Sequence, residues 1–296
     1  MKLNAYQLPK LLQYYKEFRR NALVMLLLLI AAFAAAFVYR PLILPILAVA
    51  IIWHFKVLRP SQQIYTDGVN QANLERTVCQ KLAMCSLTID DLVPVTPEII
   101  ERAGLMPCGD EKSSPLLLWG IYGEKRDFRL AMCDATIPQN FRLSEKGKRR
   151  VHFNSGVWVH IDLPVDTQLH YKLLDETSVP TPIRMDYFSQ HWGNETAAID
   201  DPEVAKRFVL YRPKNTDQHP SQAVLKNLKD LMNYTPGYVA LGVHGSQLDI
   251  FVRGRFLARP VSVAKPPTEA VLDFDPFPEL GYIVRLATAI EREAEN

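Results

Sequence analysis

An α+β fold is predicted by the sequence: an N-terminal two-helix transmembrane hairpin followed by a cytosolic mixed α/β domain with antiparallel strands. One observation is an apolar stretch from Leu23 to Phe55 that only Arg40 interrupts with a charge. A second is a series of segments in which apolar and polar residues alternate, joined by short turn sequences. A third is that antiparallel hairpins are mixed with helices along the chain, which favours α+β over a doubly wound sheet.

Length and charge narrow the class of protein. The chain has 296 residues, 48% of them hydrophobic, which is enough for one large domain or two modest ones. Its 34 basic and 32 acidic residues leave a formal net charge of +2, which predicts no general affinity for nucleic acid. The four cysteines are scattered, so reduced cytosolic thiols are expected rather than a disulfide framework. No Cys/His spacing resembles a zinc site, and neither a metal nor a cofactor is predicted.

Residues 1–20 are predicted to form a cytosolic amphipathic N-terminal segment. Apolar and aromatic residues such as Leu11 and Phe18 recur in it. The basic residues between them are Lys10, Lys16, Arg19 and Arg20. This pattern suits a helix that lies at the membrane surface, and it equally suits a cytosolic extension of the first membrane span.

Residues 21–58 are predicted to form a transmembrane helical hairpin. A helix rises about 1.5 Å per residue, so about 20 apolar residues cross the bilayer core. Residues 21–39 supply one such segment and residues 41–58 a second, slightly shorter one. Between the two segments lies Tyr39-Arg40-Pro41. Proline lacks an N–H group and disfavours helix in the residue before it, so the turn is predicted at these residues. The anchor residues predicted for this hairpin are Leu26, Phe33, Arg40, Pro41 and Trp53.

Three alternative structures compete with the hairpin for the apolar stretch. A cleaved signal peptide has an apolar region of about 7 to 15 residues, which is much shorter than this one. A buried soluble hairpin rarely lacks a polar face. A single span with a re-entrant second segment stays open. The alanines between Ala31 and Ala36 permit close helix approach, either to the other span of the hairpin or to spans of another protein.

Basic residues at the ends of the stretch predict its orientation. Four of them precede the first span, Lys56 and Arg59 follow the second, and only Arg40 marks the turn. The positive-inside rule therefore places both termini in the cytoplasm. The predicted location is the bacterial inner (plasma) membrane, with the chain as a multi-pass protein.

Residues 59–104 are predicted to form a helical connector. Proline is absent from Ser61 to Met84, and apolar residues recur there at helical spacing. A shorter helix is expected from Pro97 to Ala103, with Thr96 as its N-cap and a glycine as its terminator.

Residues 105–296 are predicted to form the cytosolic α+β domain. Residues 116–123 and 127–137 have the spacing of an antiparallel hairpin, and residues 151–164 alternate as a further strand. A short helix after Asp201 is expected to lead into a strand at residues 208–211. A longer helix follows it, then a hairpin of residues 238–243 and 247–252, and a C-terminal helix within residues 276–293.

The order of these segments resembles a known family. The carrying sequences are "WGIYGEKRDFRLAMCDATI", "HFNSGVWVHIDLP", "DDPEVAKRFVLYRPKNTDQHPSQAVLKNLKDLM" and "YVALGVHGSQLDIFV". Over residues 21–255 they resemble the bacterial domain-of-unknown-function 3137 family of membrane-anchored proteins. The resemblance implies N-terminal spans and this topology. The family's Asp-Gln-x-x-Ala-Arg-Tyr segment is half kept, since Asp217 and Gln218 precede a different sequence. No reaction is implied, because none is established for the family.

Histidine and aspartate suggest one candidate for chemistry. His160 and Asp162 are two residues apart, so on a strand they share a face. Such a pair is able to bind a divalent cation or activate a nucleophile. A solvated sheet face is the alternative, because no third ligand is indicated by the spacing. "HGSQLD", from His244 to Asp249, contains the residue types of a triad, but one hairpin turn rarely provides that geometry.

Two loops are candidates for contact with partners. Trp192 and His191 lie in a predicted exposed loop, where an aromatic side chain either binds a partner or folds onto the core. Arg149 and Arg150 end the densest basic run, which either contacts anionic lipid headgroups or forms a solvated turn.

The sequence contains no G-x-S-x-G, Walker, G-x-G-x-x-G or H-E-x-x-H motif. The function predicted first is therefore a membrane-anchored cytosolic scaffold or assembly subunit that binds other proteins at the inner membrane. One alternative is a membrane-tethered hydrolase that uses the His/Asp pair, and another is a component of an envelope-spanning secretion or transfer complex. The predicted partners are membrane lipid and other membrane or cytosolic proteins, with a homo-oligomer as a further option and no nucleic acid.

Overall fold

The computed structural model describes residues 7–82, 86–90, 95–105, 116–125, 128–141, 150–175, 194–235, 237–272 and 274–294. The chain divides into two compact units. We call the first the hairpin unit; it comprises Met1–Thr77 and Ala258–Pro276. We call the second the sheet domain; it comprises Val78–Leu257 and Phe277–Asn296.

Long helices make up most of the hairpin unit. Its elements are α1 (Gln7–Val38), a 3-10 turn (Arg40–Leu42), α2 (Ile43–Trp53), a π-helical turn (His54–Leu58) and α3 (Arg59–Leu82). The chain reverses at the predicted place, because Tyr39 is extended and Pro41 lies in the 3-10 turn that follows. Since α1 begins at Gln7, residues 7–20 continue the first apolar helix. Two helical stretches, Leu8–Val38 and Arg40–Arg76, are long and apolar enough to cross a membrane.

The π-helical turn lies just before a proline inside the second long helix. Pro60 has no N–H to donate to the carbonyl of Lys56, four residues earlier, and its ring crowds that carbonyl. A wider turn at His54–Leu58 accommodates this defect without ending the helix. The second apolar segment and the predicted connector as far as Leu82 therefore form one helical rod, whereas Ser86–Asp90, within the predicted helical connector, is a strand.

The apolar helices pack through small side chains. The buried side chains of α1 and α2 between residues 21 and 53 are Ala32, Ala35 and Ala50. Alanines at these positions let the two backbones approach closely. Near the other end of the pair, the Trp53 indole donates a hydrogen bond to the carbonyl of Asn21, at 3.1 Å.

A second cluster lies between α1 and α3 and includes a segment from far along the chain. Leu11, Tyr65 and Val69 are buried there together with Leu272 of α7 (Glu269–Leu272). The Asn70 side chain donates to the carbonyl of Arg259 and accepts from its N–H group. Residues 258–276 thus pack with the N-terminal helices, which no sequence pattern had predicted.

The sheet domain confirms the predicted α+β class. Its helices are α4 (Pro97–Ala103), α5 (Pro202–Ala205), α6 (Gln222–Tyr234) and α8 (Leu280–Ala294). Its strands are β1 (Ser86–Asp90), β2 (Leu116–Lys125), β3 (Phe128–Phe141), β4 (Arg150–Asp162), β5 (His170–Asp175), β6 (Asn194–Ala197), β7 (Phe208–Pro213), β8 (Val239–His244) and β9 (Gln247–Arg253). In the described part of the chain these strands form one antiparallel sheet, in the order β1-β2-β3-β4-β9-β8-β5-β7-β6.

Both faces of the central strands are buried. On one face Cys133, Trp158 and Phe251 form a cluster with Ile100 of α4 and with Leu105. The opposite face carries buried apolar side chains of every central strand, including Met132, Val159, Ile250, Leu241 and Leu173. Burial of both faces explains why the strands are nearly continuous apolar runs, in which a charged residue is conspicuous.

Candidate functional site

A row of polar residues crosses the buried sheet on the face covered by α4. His160 of β4 lies opposite Asp249 of β9, which lies opposite Gly242 of β8. Gly242 lies opposite Lys172 of β5, and Lys172 lies opposite Tyr211 of β7. Directly opposed residues of antiparallel strands project from the same face, so these side chains are neighbours.

His160 is the centre of a hydrogen-bond network. Its Nδ1 lies 2.9 Å from Oδ1 of Asp249, and the Trp158 indole donates to the same oxygen, also at 2.9 Å. Its Nε2 lies 3.4 Å from Oδ1 of Asp162. The structure therefore brings the predicted pair together, but the closer partner of His160 is Asp249, which is 1% exposed.

Two carboxylates stabilise a charged imidazole at His160. Burial by itself lowers the pKa of His160, but the hydrogen bond to Asp249 and the charges of Asp249 and Asp162 outweigh it and raise the pKa above its usual value. Both ring nitrogens lie within ion-pair distance of a carboxylate. Each ring nitrogen is thus paired with a carboxylate, and neither is left to take a proton from a substrate.

Two further basic residues are buried along the neighbouring strands. Lys172 is 3% exposed, and burial lowers the pKa of its amine to about 7, although the charge of Asp249 opposes the shift. Burial, followed by the charge of Lys172, lowers the pKa of His244 to about 4. The His244 ring lies 6.1 Å from that of His170, measured between centroids. His244 is therefore neutral near pH 7, beside an amine that is only partly protonated.

These side chains surround a cavity of about 240 Å³, which we call the polar cavity. It is lined chiefly by Arg102, His170, Lys172, Asn194, Tyr211 and His244. Among the described residues that line it, none is an aspartate or a glutamate. The cavity is thus rich in hydrogen-bond donors.

Helix α4 is held over the sheet at the edge of this cavity. Thr96 caps its start, and Gly104 ends it in the left-handed conformation, at φ 56°. The Tyr238 hydroxyl then donates to the carbonyl of Leu105, at 2.8 Å. A Cβ atom at Gly242 would lie 2.9 Å from the Leu105 side chain, so glycine permits this close approach. These contacts place Arg102 at the cavity.

The other predicted site residues are distributed as follows. Leu26 and Phe33 are exposed on α1, Arg40 and Pro41 form the turn between the helices, and Trp53 ends α2. Arg150 begins β4. Trp192, His191 and Arg149 lie outside the described residues. Within the part that the structure describes, no group of three or more His, Cys, Asp and Glu side chains is arranged to hold a metal ion.

Sequence reasoning missed Asp249 as the partner of His160, and it missed Lys172 entirely. A signal for both exists in hindsight: each interrupts a run of apolar residues, between Leu248 and Ile250 in one case and between Tyr171 and Leu173 in the other. A charged residue in a strand buried on both faces needs a partner, because its desolvation is costly. The identity of that partner depends on strand pairing.

No protein-family model, no curated protein and no solved structure matches this chain.

Proposed function

We propose that the chain is a multi-pass protein of the bacterial inner membrane, whose sheet domain acts in the cytoplasm as a scaffold or assembly subunit. The observation that carries the proposal is the inverted packing of α1 and α2. Many of their large apolar side chains are exposed, and their buried side chains are alanines, which is the arrangement that lipid favours and water opposes.

The exposed apolar surface of these helices is extensive. Phe33 is 69% exposed, Phe37 78%, Leu44 77% and Ile52 62%. Soluble monomers rarely expose contiguous apolar patches larger than a few hundred Å². The core helix of a soluble protein would bury most of such residues, but only 11% and 6% of the two apolar windows are buried. Lipid contact accounts for this surface, and the resemblance to a membrane-anchored family agrees with it.

Charge at the ends of the hairpin supports the orientation. Four basic residues lie on α1 before the apolar segment, at Lys10, Lys16, Arg19 and Arg20. Lys56 lies in the last turn of the second segment and Arg59 directly after it, and Arg40 lies alone at the turn. The positive-inside rule then assigns both ends of the hairpin, and with them the sheet domain, to the cytoplasm.

The geometry supports binding by the sheet domain better than hydrolysis. His160 is occupied at both ring nitrogens, and the thiol of Cys133 is buried in the core. Among the described residues that line the polar cavity, none is a serine, threonine or cysteine. His244 lines the cavity with a ring that is neutral near pH 7, but no serine, threonine or cysteine of the described lining is there for it to activate as a nucleophile. A secretion or transfer complex differs from a scaffold mainly in the identity of its partners.

Reporter fusions test the topology. Green fluorescent protein fused after Asn296 is expected to fluoresce in cells, and alkaline phosphatase at the same place is expected to be inactive. The matched control ends the chain at Arg40, where alkaline phosphatase is expected to be active because the turn lies outside. An active phosphatase after Asn296, or a full-length protein that is soluble without detergent, would contradict the proposal.

Purification tests the scaffold role. The full chain, extracted in a mild detergent, is expected to copurify with specific proteins that mass spectrometry identifies at stoichiometric amounts. Isolation of the chain alone would count against a scaffold. Alanine at His160 and Asp162 separates the hydrolase alternative: loss of complementation with intact folding and intact partner binding would favour the enzyme.

A further inference from the structure

We propose that the polar cavity binds a small soluble oxyanion of the phosphate class, either inorganic phosphate or the phosphate group of a monoester. The proposal goes beyond the scaffold function and does not depend on membrane topology. It is carried by the convergence of hydrogen-bond donors, supplied by five separate elements, on one cavity within the sheet domain.

The lining matches the needs of an oxyanion. Arg102 contributes a guanidinium group, whose planar fork suits two phosphate oxygens at once. Lys172 contributes an amine and Asn194 an amide, and both residues are more than nine-tenths buried. Oxyanions accept charge-assisted hydrogen bonds from such groups, whereas a cation would need the carboxylates that this lining lacks among its described residues.

The nearby carboxylates do not line the cavity, although the charge of Asp249 acts on Lys172 and His244. The carboxylate of Asp249 already accepts hydrogen bonds from Trp158 and His160 through one oxygen. Asp162, on the outer side of His160, is directed at the imidazole as well. Both carboxylates are therefore paired with His160. The negative charge of a bound dianion would instead lie beside the basic groups of Lys172 and Arg102, which is favourable.

The volume indicates a small ligand. Sites for drug-sized molecules usually measure about 300 to 1,000 Å³. A cavity of about 240 Å³ accommodates a phosphate group with a few further atoms. Tyr211 and Pro213 give it one less polar side, which suits the short carbon chain of a monoester.

Binding is expected to depend on the protonation of Lys172. The pKa of this amine is lowered to about 7 by burial, and a bound dianion favours its ammonium form, so the Lys172 amine takes up a proton from solvent when the dianion binds. The titratable and charged groups around it are Asp249 of β9, His160 and Asp162 of β4, His244 of β8, Tyr211 of β7, His170 of β5 and Arg102 of α4. Affinity should therefore weaken as the pH rises above 7.

Calorimetric titration of the full chain tests the proposal. The protein is held in dodecyl maltoside and a phosphate-free buffer, and inorganic phosphate and glycerol 3-phosphate are added separately. Saturable binding of either is expected. Sulfate serves as a third probe because its charge is constant, and it should bind about fivefold to tenfold more weakly at pH 8.5 than at pH 7.5.

Substitutions locate the site. Arg102→Gln changes an exposed residue and should weaken phosphate binding about tenfold, the effect of losing one charge-assisted hydrogen bond. Lys172→Met should abolish the pH dependence of sulfate binding. Lys226→Gln, at an exposed position on α6 away from the cavity, is the matched control. It should leave the affinity for phosphate and the pH dependence of sulfate binding unchanged.

The outcomes are distinct. Absence of saturable binding up to about 20 mM of any probe would overturn the proposal, since a dissociation constant above that concentration corresponds to very weak binding. Equal weakening by Arg102→Gln and Lys226→Gln would overturn it too, by showing nonspecific attraction. Binding to phosphatidate in nanodiscs, with none to the soluble anions, would overturn the assignment of a soluble ligand. Because Arg102→Gln is a surface change, a misfolded Lys172→Met would not remove the test.

Discussion

The two units of this chain bury opposite kinds of side chain. In the hairpin unit, the helix pair from residue 21 to residue 53 buries alanines and exposes phenylalanine, leucine and isoleucine. In the sheet domain, Trp158, Phe251 and their large apolar neighbours are fully buried. Large apolar residues thus lie on the outside of the helix pair and on the inside of the sheet domain. Under the proposed membrane location, the reason is the solvent: lipid leaves no hydrophobic force between helices, so close packing of small residues holds them together.

Charged residues show the same contrast. Between residues 21 and 53, Arg40 at the turn is the one charge, and it is exposed. The sheet domain buries charge and satisfies it: Asp175 accepts a 2.8 Å hydrogen bond from Arg207, whose guanidinium also donates to three backbone carbonyls. A buried ion pair of this kind stabilises only when its remaining donors are occupied, as they are here.

The largest expected effect comes from removing a core aromatic ring. Phe251→Ala should lower the free energy of unfolding of the sheet domain by about 4 kcal/mol, because the ring is fully buried against Trp158 and Tyr238. Urea unfolding of the full chain in detergent measures this. Phe37→Ala removes the same atoms from an exposed site, and SDS-induced unfolding of the hairpin should change by under about 1 kcal/mol. Equal losses of stability from Phe251→Ala and Phe37→Ala would contradict the difference in burial between the two units.

The second-largest expected difference between the two units is their response to a charge introduced at an exposed apolar position. Phe33→Arg is expected to raise the apparent free energy of membrane insertion of residues 21–39 by about 3 kcal/mol, because arginine is costly at the centre of a span. A translocon insertion assay measures it. Phe256→Arg, at a 48% exposed position of the sheet domain, should alter unfolding by under about 0.5 kcal/mol. Tolerance of arginine at Phe33 would argue against lipid contact.

Acid should destabilise the sheet domain through His244. Burial, followed by the charge of Lys172, lowers the pKa of His244 to about 4. The unfolded chain takes up a proton near pH 6.5 and the folded chain resists it, so stability is lost as the pH falls below 6.5. At pH 5 the loss is about 2 kcal/mol.

His244→Gln should remove this part of the pH dependence. Urea unfolding at pH 7 and pH 5 measures it as the difference between the variant and the original chain. His170→Gln, at an exposed position on the neighbouring strand, is the control and should keep the original dependence. Identical slopes for the His244 variant and the original chain would contradict the assignment.

The smallest expected effect concerns helix ends. Asp201 accepts hydrogen bonds from the N–H groups of Glu203 and Val204, at 2.8 and 3.1 Å, so Asp201→Ala should cost the sheet domain about 1 kcal/mol. The adjacent Asp200→Ala is the control, and it should change unfolding little. By contrast, the hairpin turn after Tyr39 has no side-chain cap, so Tyr39→Ala should have no capping effect.

Much of the fold could be predicted because its signals are local. The reversal at Pro41, the cap at Thr96 and the helix after Ser221 each depend on residues within one or two turns of each other. The strands β2, β3, β4, β8 and β9 were also predicted, from alternation and turn spacing. By contrast, β5 and β6 flank a segment rich in proline, threonine and serine, and their pairing with β8 and β7 supplies what local pattern lacks.

The candidate site was predicted only in part. His160 and Asp162 share a face of one strand, a relation that spacing alone reveals. The bond between His160 and Asp249 joins residues 89 apart in the chain, and it exists because β4 pairs with β9 in one register. A shift of one residue would turn Asp249 to the other face of the sheet.

The sequence by itself determined which segments are helices able to cross a membrane and where strands such as β3, β4, β8 and β9 lie, because hydrophobicity, periodicity and caps act over a few residues. Only the tertiary structure decided that residues 258–276 pack with the N-terminal helices and that Arg102, Lys172 and His244 meet at one cavity. Those placements come from strand register and from packing between distant segments. Their free energy depends on which surfaces meet in three dimensions, and no short stretch of sequence contains that information.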